Sequence, residues 1–292
     1  MSSNTGRWMG YHSGMMRSEQ DLIPYTTGGL DGSPVLVMAP HPDDEVFGCG
    51  GVIVQAVRSG ATVRVVVLTD GAGQGDPETR HTEALEAARR LGISRPEFWG
   101  RADRSLSPDD PDLIDRVRAL LVEAAPNILL LPSPAEIHPD HRALALLVYG
   151  VIQAAAPGSE LHNALQATRL ATYEVSAVLR PNHLVDVSAE WQTVLSAAEA
   201  YASQLEKHAY IDVMDGIAQA RCLTLPRAVR RAEAFHVVDP RYVRTHSAAE
   251  WAAAQGPIVG LESSVEAADL DVVVRTRNRP HLLLQALDSI AP

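Results

Sequence analysis

Three nearly continuous apolar runs constrain this chain more than anything else in it. They are Val35-Leu36-Val37-Met38-Ala39, Val63-Arg64-Val65-Val66-Val67-Leu68 and Ile128-Leu129-Leu130-Leu131. A strand with one wet face alternates apolar and polar residues, so an unbroken run reads as a strand covered on both faces. Helical patterns separate the runs. Residues 45–59 form one, closed by Gly60. A second begins at Asp76-Pro77, an N-cap followed by an N1 proline, carries Leu85, Ala88 and Leu91 on one face, and stops at Gly92. A third spans 111–125 through Leu113, Val117, Leu120 and Leu121. Glu97-Phe98-Trp99 adds a short strand, and further strands are expected at 169–175 and 183–187. Long helical stretches are expected at about 189–208 and 224–236. Strands alternating with helices through short connections predict an α/β fold: a Rossmann-like, mostly parallel sheet with helices on both faces. Such sheets bind ligands beyond the carboxyl ends of their strands, so the loops after residues 39, 69 and 132 should share one rim.

Composition narrows the class of partner. The 292 residues are 46% apolar and carry a formal charge of −11. An apolar share of that size supplies a real core. The acidic balance repels phosphate, which argues against a nucleic-acid partner or an anionic membrane surface, though not against one local basic site. No run approaches the roughly 18 apolar residues of a membrane-spanning helix, and the opening MSSNTGRWMGYHSGMM lacks a signal-peptide layout. Cys49 and Cys222 cannot make a disulfide framework. A cytoplasmic protein without an integral membrane segment is the expectation.

The loops on the predicted rim carry the chemistry. The first reads His41-Pro42-Asp43-Asp44-Glu45, directly after a buried strand. The loop after the fourth strand reads Glu136-Ile137-His138-Pro139-Asp140-His141. One imidazole with three consecutive carboxylates is costly to place at a strand end without a cation, and the second loop adds two more imidazoles. Together they offer His, Asp and His around one point, the composition of a catalytic zinc set with a position left for water. Zinc brings bound water to a pKa of ~7 and polarises a carbonyl. Spare carboxylates and an imidazole supply the acid and base.

Those two loops, with Gly48-Cys49-Gly50-Gly51 behind the first, resemble the signature motifs of the PIG-L/LmbE-like zinc deacetylases. Arg80-His81-Thr82-Glu83, Ala87 and Leu91-Gly92 resemble a helix of that family. Tyr173-Glu174, Val185-Asp186-Val187, Tyr201, Ser203-Gln204 and Glu233…Phe235 are similar to weaker features of it. The resemblance spans about residues 34–240. It implies Zn2+ held by His41, Asp44 and His141, Asp43 as the general base, and His138 as the group that stabilises the oxyanion and helps protonate the leaving amine. It implies Asp140 as the group orienting a catalytic neighbour, and Arg80 beside the substrate. The implied reaction is removal of acetyl from an N-acetylglucosamine-type sugar or glycoconjugate. A zinc amidase cleaving a larger acyl conjugate of an amino sugar, or a non-catalytic carbohydrate-binding module, are the alternatives. From spacing alone Arg80 reads as a partner of Glu83, Asp140 reads as a helix N-cap, Asp103 reads as a turn former or a site residue, and Gly71–Gly75 reads as a tight turn. Gly48, Gly50 and Gly51 read as positions of close backbone approach, and Cys49 as a small apolar side chain.

The ends fit the scheme less well. Residues 1–33 read as an N-terminal extension and 34–240 as the catalytic domain. Leu270-Asp271-Val272-Val273-Val274, a polar turn through Pro280 and a helix from Leu282 resemble the first βα unit of family-2 glycosyltransferases. The expectation is a linker at 241–268 and a truncated glycosyltransferase-like stub at 269–292, as in a fusion protein.

Overall fold

The computed structural model describes residues 23–256. The expected stub, the later part of the expected linker and residues 1–22 lie outside the described residues.

The strands are β1 (Thr26–Thr27), β2 (Val35–Ala39), β3 (Val63–Thr69), β4 (Glu97–Arg101), β5 (Ile128–Pro132), β6 (Arg169–Tyr173), β7 (His183–Asp186) and β8 (Ala232–Val238). They form one sheet in the order β1-β7-β8-β6-β5-β2-β3-β4. All neighbours pair in parallel except where β8 lies between β6 and β7, antiparallel to both. The central register aligns Val37 with Val65 on one side and Leu130 on the other.

The helices are α1 (Asp44–Arg58), α2 (Pro77–Leu91), α3 (Pro111–Ala124), α4 (Pro139–Gln153), α5 (Glu160–Ala164), α6 (Trp191–Ala198), α7 (Ala202–Leu205), α8 (Tyr210–Ala220), α9 (Pro240–Thr245) and α10 (Ala248–Gln255). Pleating sends alternate side chains of the central strands into two cores. Val35, Val37, Val65, Val67 and Leu130 pack with residues of α1, α2 and α6. Leu36, Met38, Val66, Leu68 and Leu129 pack with residues of α3, α4 and α10. Each such aliphatic side chain is worth about 1.5–3 kcal/mol of burial, which explains why these strands read as unbroken apolar runs. Among the described residues no helix is long and apolar enough to cross a membrane.

Local signals placed the helix ends. Asp76 caps α2 by accepting the Thr79 N–H, Pro77 sits at N1, and Gly92 ends the helix with φ 79°. Asp110 and Pro111 start α3 in the same way. The glycines of α1 mark close approach. A Cβ on Gly48 would lie 2.2 Å from the Tyr173 ring, and one on Gly51 would lie 2.5 Å from Val187. Cys49 is buried with non-helical dihedrals, which kinks α1. The amides freed beyond the kink, Gly51 and Val52, donate at 2.6 and 3.0 Å to the Glu233 carboxylate on β8.

Three expectations are corrected. The stretch 224–236 is not a helix, because its second half is β8. Its Ala- and Arg-rich composition favours helix, but the slot between β6 and β7 satisfies the backbone on both edges, and tertiary pairing outweighs propensity. The stretch 189–208 is broken into α6 and α7 around Glu199–Tyr201. Residues 241–256, expected as linker, form most of α9 and all of α10 and bury Val243 and Trp251 completely. Within the expected N-terminal extension, Thr26–Thr27 adds the edge strand β1 beside β7, and Leu30 is buried.

Candidate active site

The loops after β2, β3, β4, β5 and β6 converge at the carboxyl edge of the sheet, as the alternating pattern predicts. They bring His41, Asp43, Asp44, Arg80, Asp103, His138 and His141 around one cavity of about 120 Å3.

Three atoms form its tightest cluster. Asp44 Oδ2 lies 3.1 Å from His41 Nδ1 and 3.2 Å from His141 Nε2. The two ring nitrogens are 3.3 Å apart. A tetrahedral ion with ligand bonds of about 2.0–2.1 Å has ligand–ligand edges of about 3.3 Å, so the three atoms are spaced as a zinc ion requires. His138 also offers a nitrogen within 4.8 Å of the other two imidazoles. Its Nδ1 already accepts the Asp140 N–H at 3.2 Å, and His138 is the N-cap of α4.

The other ring nitrogens are held from behind. His41 Nε2 faces Asp140 Oδ2 at 3.1 Å and Asp103 Oδ1 at 3.5 Å. Asp140 is fixed in turn by the N–H groups of Arg104 and Leu106 at 2.7 and 3.1 Å. Its carboxylate therefore orients His41 and does not cap α4. His141 Nδ1 faces Glu136 Oε2 at 3.6 Å, and the Glu136 carboxylate accepts the N–H groups of Val175, Ser176 and Ala177. Protons placed on these outer nitrogens would leave His41 Nδ1 and His141 Nε2 with free lone pairs, as in a carboxylate–histidine–metal arrangement. Sequence reasoning quoted Glu136 in its loop without assigning it a task. Its position two residues before His138 was the available signal. Glu136→Gln is expected to weaken metal binding by about 10- to 100-fold, measured by competition with a chromophoric chelator.

The electrostatics point the same way. Burial works against charge on His41, yet Asp103, Asp140 and Asp44 push its pKa up to about 12. Burial likewise opposes a charged His141, and Asp44 and Glu136 raise it to about 9. Burial would raise Asp44, but the facing imidazoles of His141 and His41 hold it well below the carboxylate range. A potential that favours positive charge this strongly suits a divalent cation. His138 behaves differently: burial first, then the neighbouring imidazoles His41 and His141, lower its pKa and favour the neutral ring.

Asp43 stands beside the cluster. Its backbone φ is 123°, rare outside glycine, and such strain costs about 1–3 kcal/mol and gathers at functional positions. The conformation is held by its N–H donating to Glu45 Oε2 at 3.1 Å and its carbonyl accepting from Val46 and Phe47. Glu45 is itself anchored by the Tyr201 hydroxyl. Burial pushes the Asp43 carboxyl up to about 7, against the pull of Arg80. Arg80 is fully enclosed, and its Nη2 donates to Asp43 Oδ2 at 3.0 Å and to the Pro42 carbonyl. Glu83 does not pair with it; that carboxylate accepts the Ser203 N–H at 2.7 Å and its hydroxyl at 2.8 Å. Asp103 lines the cavity, accepting the Gly73 N–H at 3.1 Å and facing His41. Gln74, Phe47, Val175, Ser176, Gln204 and Tyr210 complete the walls. No pattern in the sequence marked Phe47, Val175 or Tyr210.

The profile of the family described as GlcNAc-PI de-N-acetylase, PIG-L, matches residues 36–152, which contain both ligand loops. Diacetylchitobiose deacetylase of Thermococcus kodakarensis is 30% identical over 190 residues, covering 60% of this chain and 71% of that protein. The chain belongs to the PIG-L family. A probable N-acetyl-α-D-glucosaminyl L-malate deacetylase 2 of Bacillus cereus is 26% identical over 186 residues, covering 59% of this chain and 84% of its own. Among solved structures, the N,N'-diacetylchitobiose deacetylase of Pyrococcus horikoshii superposes with a TM-score of 0.63 at 25% identity, covering 75% of this chain and 89% of that one. As a PIG-L protein the chain stands among hydrolases of N-acetyl groups, and the mostly parallel sheet is that of its structural neighbours. The match to residues 36–152 ends before β6, β7 and β8, so the wall residues Val175, Ser176, Gln204 and Tyr210 fall outside it.

Proposed function

We propose that this chain is a zinc-dependent N-deacetylase that hydrolyses the acetamide of an N-acetylglucosamine-type sugar or glycoconjugate. The observation that carries the reading is the convergence of His41 Nδ1, Asp44 Oδ2 and His141 Nε2 within 3.3 Å, with the Asp43 carboxyl on the adjoining residue. His41, Asp44 and His141 would hold the zinc. When bound, it would act as a Lewis acid toward the amide carbonyl and lower the pKa of water.

The remaining work falls to the chain's own groups. Asp43 is the general base: one carboxylate oxygen is tied to Arg80, and the other takes a proton from the attacking water. A base with a pKa near 7 is matched to that task. His138, with Nδ1 occupied by the Asp140 N–H, carries its proton on Nε2 and donates it toward the oxygen on which charge develops. The proton that Asp43 has taken from water then goes to the departing amine, with the His138 imidazole assisting the transfer. Asp140 and Glu136 are positioning residues behind His41 and His141. Arg80 has two further buried nitrogens, Nε and Nη1, with no hydrogen-bond partner among the described residues. They are the donors proposed to meet a substrate hydroxyl.

The test is acetate release from free and conjugated N-acetylglucosamine, with zinc content followed in parallel. Release should stop after EDTA treatment and return with one equivalent of zinc. Unchanged release from the zinc-free protein would overturn the mechanism. A second expected result concerns pH. Asp43 must be ionised to act, so kcat falls as pH drops through its pKa. Arg80 lowers that pKa, so Arg80→Gln should move the acidic limb of the kcat profile to higher pH.

A further inference from the structure

The cavity has two unlike walls. Gln74, Arg80, Asp103, His138 and Gln204 make one side polar, while Phe47, Val175 and Tyr210 make the other apolar. A second cavity of about 50 Å3 adjoins the first, and Phe47, Val175 and Tyr210 line both. Its roof is one face of α8: Tyr210, Met214, Ile217 and Ala218 recur at helical spacing, and Met214 and Ala218 are buried. Trp191 closes one side.

Two carboxylates reach this annex, and both are already engaged. Glu174 is bound by the Arg221 guanidinium and the Leu179 N–H, and Glu233 by the amides of Gly51 and Val52. The rest of the chamber's lining is apolar. A water-sized group needs about 10–15 Å3 by this measure, so the chamber accepts a chain of about four such groups.

An N-acyl amino sugar is divided in the same way, with a hydroxylated ring on one side of the amide and a hydrocarbon on the other. We propose that the annex is an acyl-chain subsite, and that the enzyme hydrolyses N-acyl amino sugars with straight chains of about four to six carbons as well as N-acetyl ones. This rests on the deacetylase reading, and it commits the same site to a wider class of substrate. The chemistry does not change. Water's oxygen bonds to the acyl carbon, the C–N bond breaks, the nitrogen gains a proton, and the products are the fatty acid and the free amino sugar.

Binding and turnover test it separately. In calorimetry of the zinc-loaded protein, straight-chain hydroxamic acids serve as metal-chelating probes. Lengthening acetohydroxamate to butanohydroxamate should tighten binding about tenfold, as expected for burying two methylenes. N-butanoylglucosamine should be cleaved with a kcat/KM at least equal to that of N-acetylglucosamine. Ala218→Phe, which fills the annex, should lower the butanoyl-to-acetyl ratio about tenfold. Met214→Trp is the second variant should the first fail to fold, as judged by its melting temperature. Butanohydroxamate binding no tighter than acetohydroxamate, or a butanoyl-to-acetyl ratio untouched by a folded filling variant, would overturn the subsite. A chain-length gain in binding without any turnover of acetylated sugars would uphold the subsite and overturn the deacetylase reading.

Discussion

Asp43→Asn is expected to lower kcat by about 10²- to 10⁴-fold, the range typical of a lost general acid–base group, while the protein keeps one equivalent of metal. The substitution is close to isosteric. The asparagine oxygen can still accept from Arg80 Nη2, and asparagine is among the residues that best tolerate a positive φ such as the 123° found here. The proposed ligand triad is His41, Asp44 and His141, so the substitution removes none of it. What disappears is the ability to accept a proton. Acetate release and metal analysis on the same sample decide the matter. Full metal with activity within about threefold of the parent would mean that Asp43 only shapes the loop. Loss of metal along with activity would mean that the carboxylate belongs to the ion's own shell.

Trp251→Ala is expected to destabilise the protein by about 3–5 kcal/mol, the usual cost of truncating a buried tryptophan. Trp251 has no exposed surface and stacks on Tyr149 of α4 with ring centroids 4.9 Å apart. The next turn of α10 places Gln255, also fully buried, against Ser133 and Thr172 at the ends of β5 and β6. For a domain of this size each kcal/mol shifts the melting temperature by roughly 2–4 °C, so a drop on the order of 10 °C is the expected readout by calorimetry. A shift of less than ~2 °C would mean that α10 contributes little to the fold and that residues after 240 behave as the linker their composition suggested.

The two expectations differ in how visible they were beforehand. Asp43 stood in a dense group of charges at a strand end, where ionisable residues are costly unless they do something. Trp251 stood in an alanine-rich stretch with no strand pattern near it, and nothing in Ala248–Gln255 says which face meets α4. The same contrast holds for β8. Ala232-Glu233-Ala234 suits a helix and Phe235-His236-Val237-Val238 suits a strand, and the open edges of β6 and β7 settle the whole segment as strand. Glu136 and Asp140 were both visible as acids near histidines. Which imidazole each one holds depends on β2 and β5 ending side by side and on the loop after β4 reaching Asp140. Phe47, Val175 and Tyr210 come from three separate parts of the chain, and their shared wall has no linear signature.

By itself, the sequence determined the local and the periodic. Unbroken apolar runs required strands covered on both faces. Asp-Pro pairs and glycines placed helix ends. His-Pro-Asp loops after strands required a polar, cation-seeking rim. These follow because the backbone responds to its nearest neighbours and burial follows side-chain period. Only the tertiary structure decided where distant carboxylates point, that residues 232–238 join the sheet in reverse, that residues 241–256 complete the core, and that a second cavity shares a wall with the candidate site. Those outcomes rest on contacts between segments far apart in the chain, whose energies depend on distance and packing that no local pattern records.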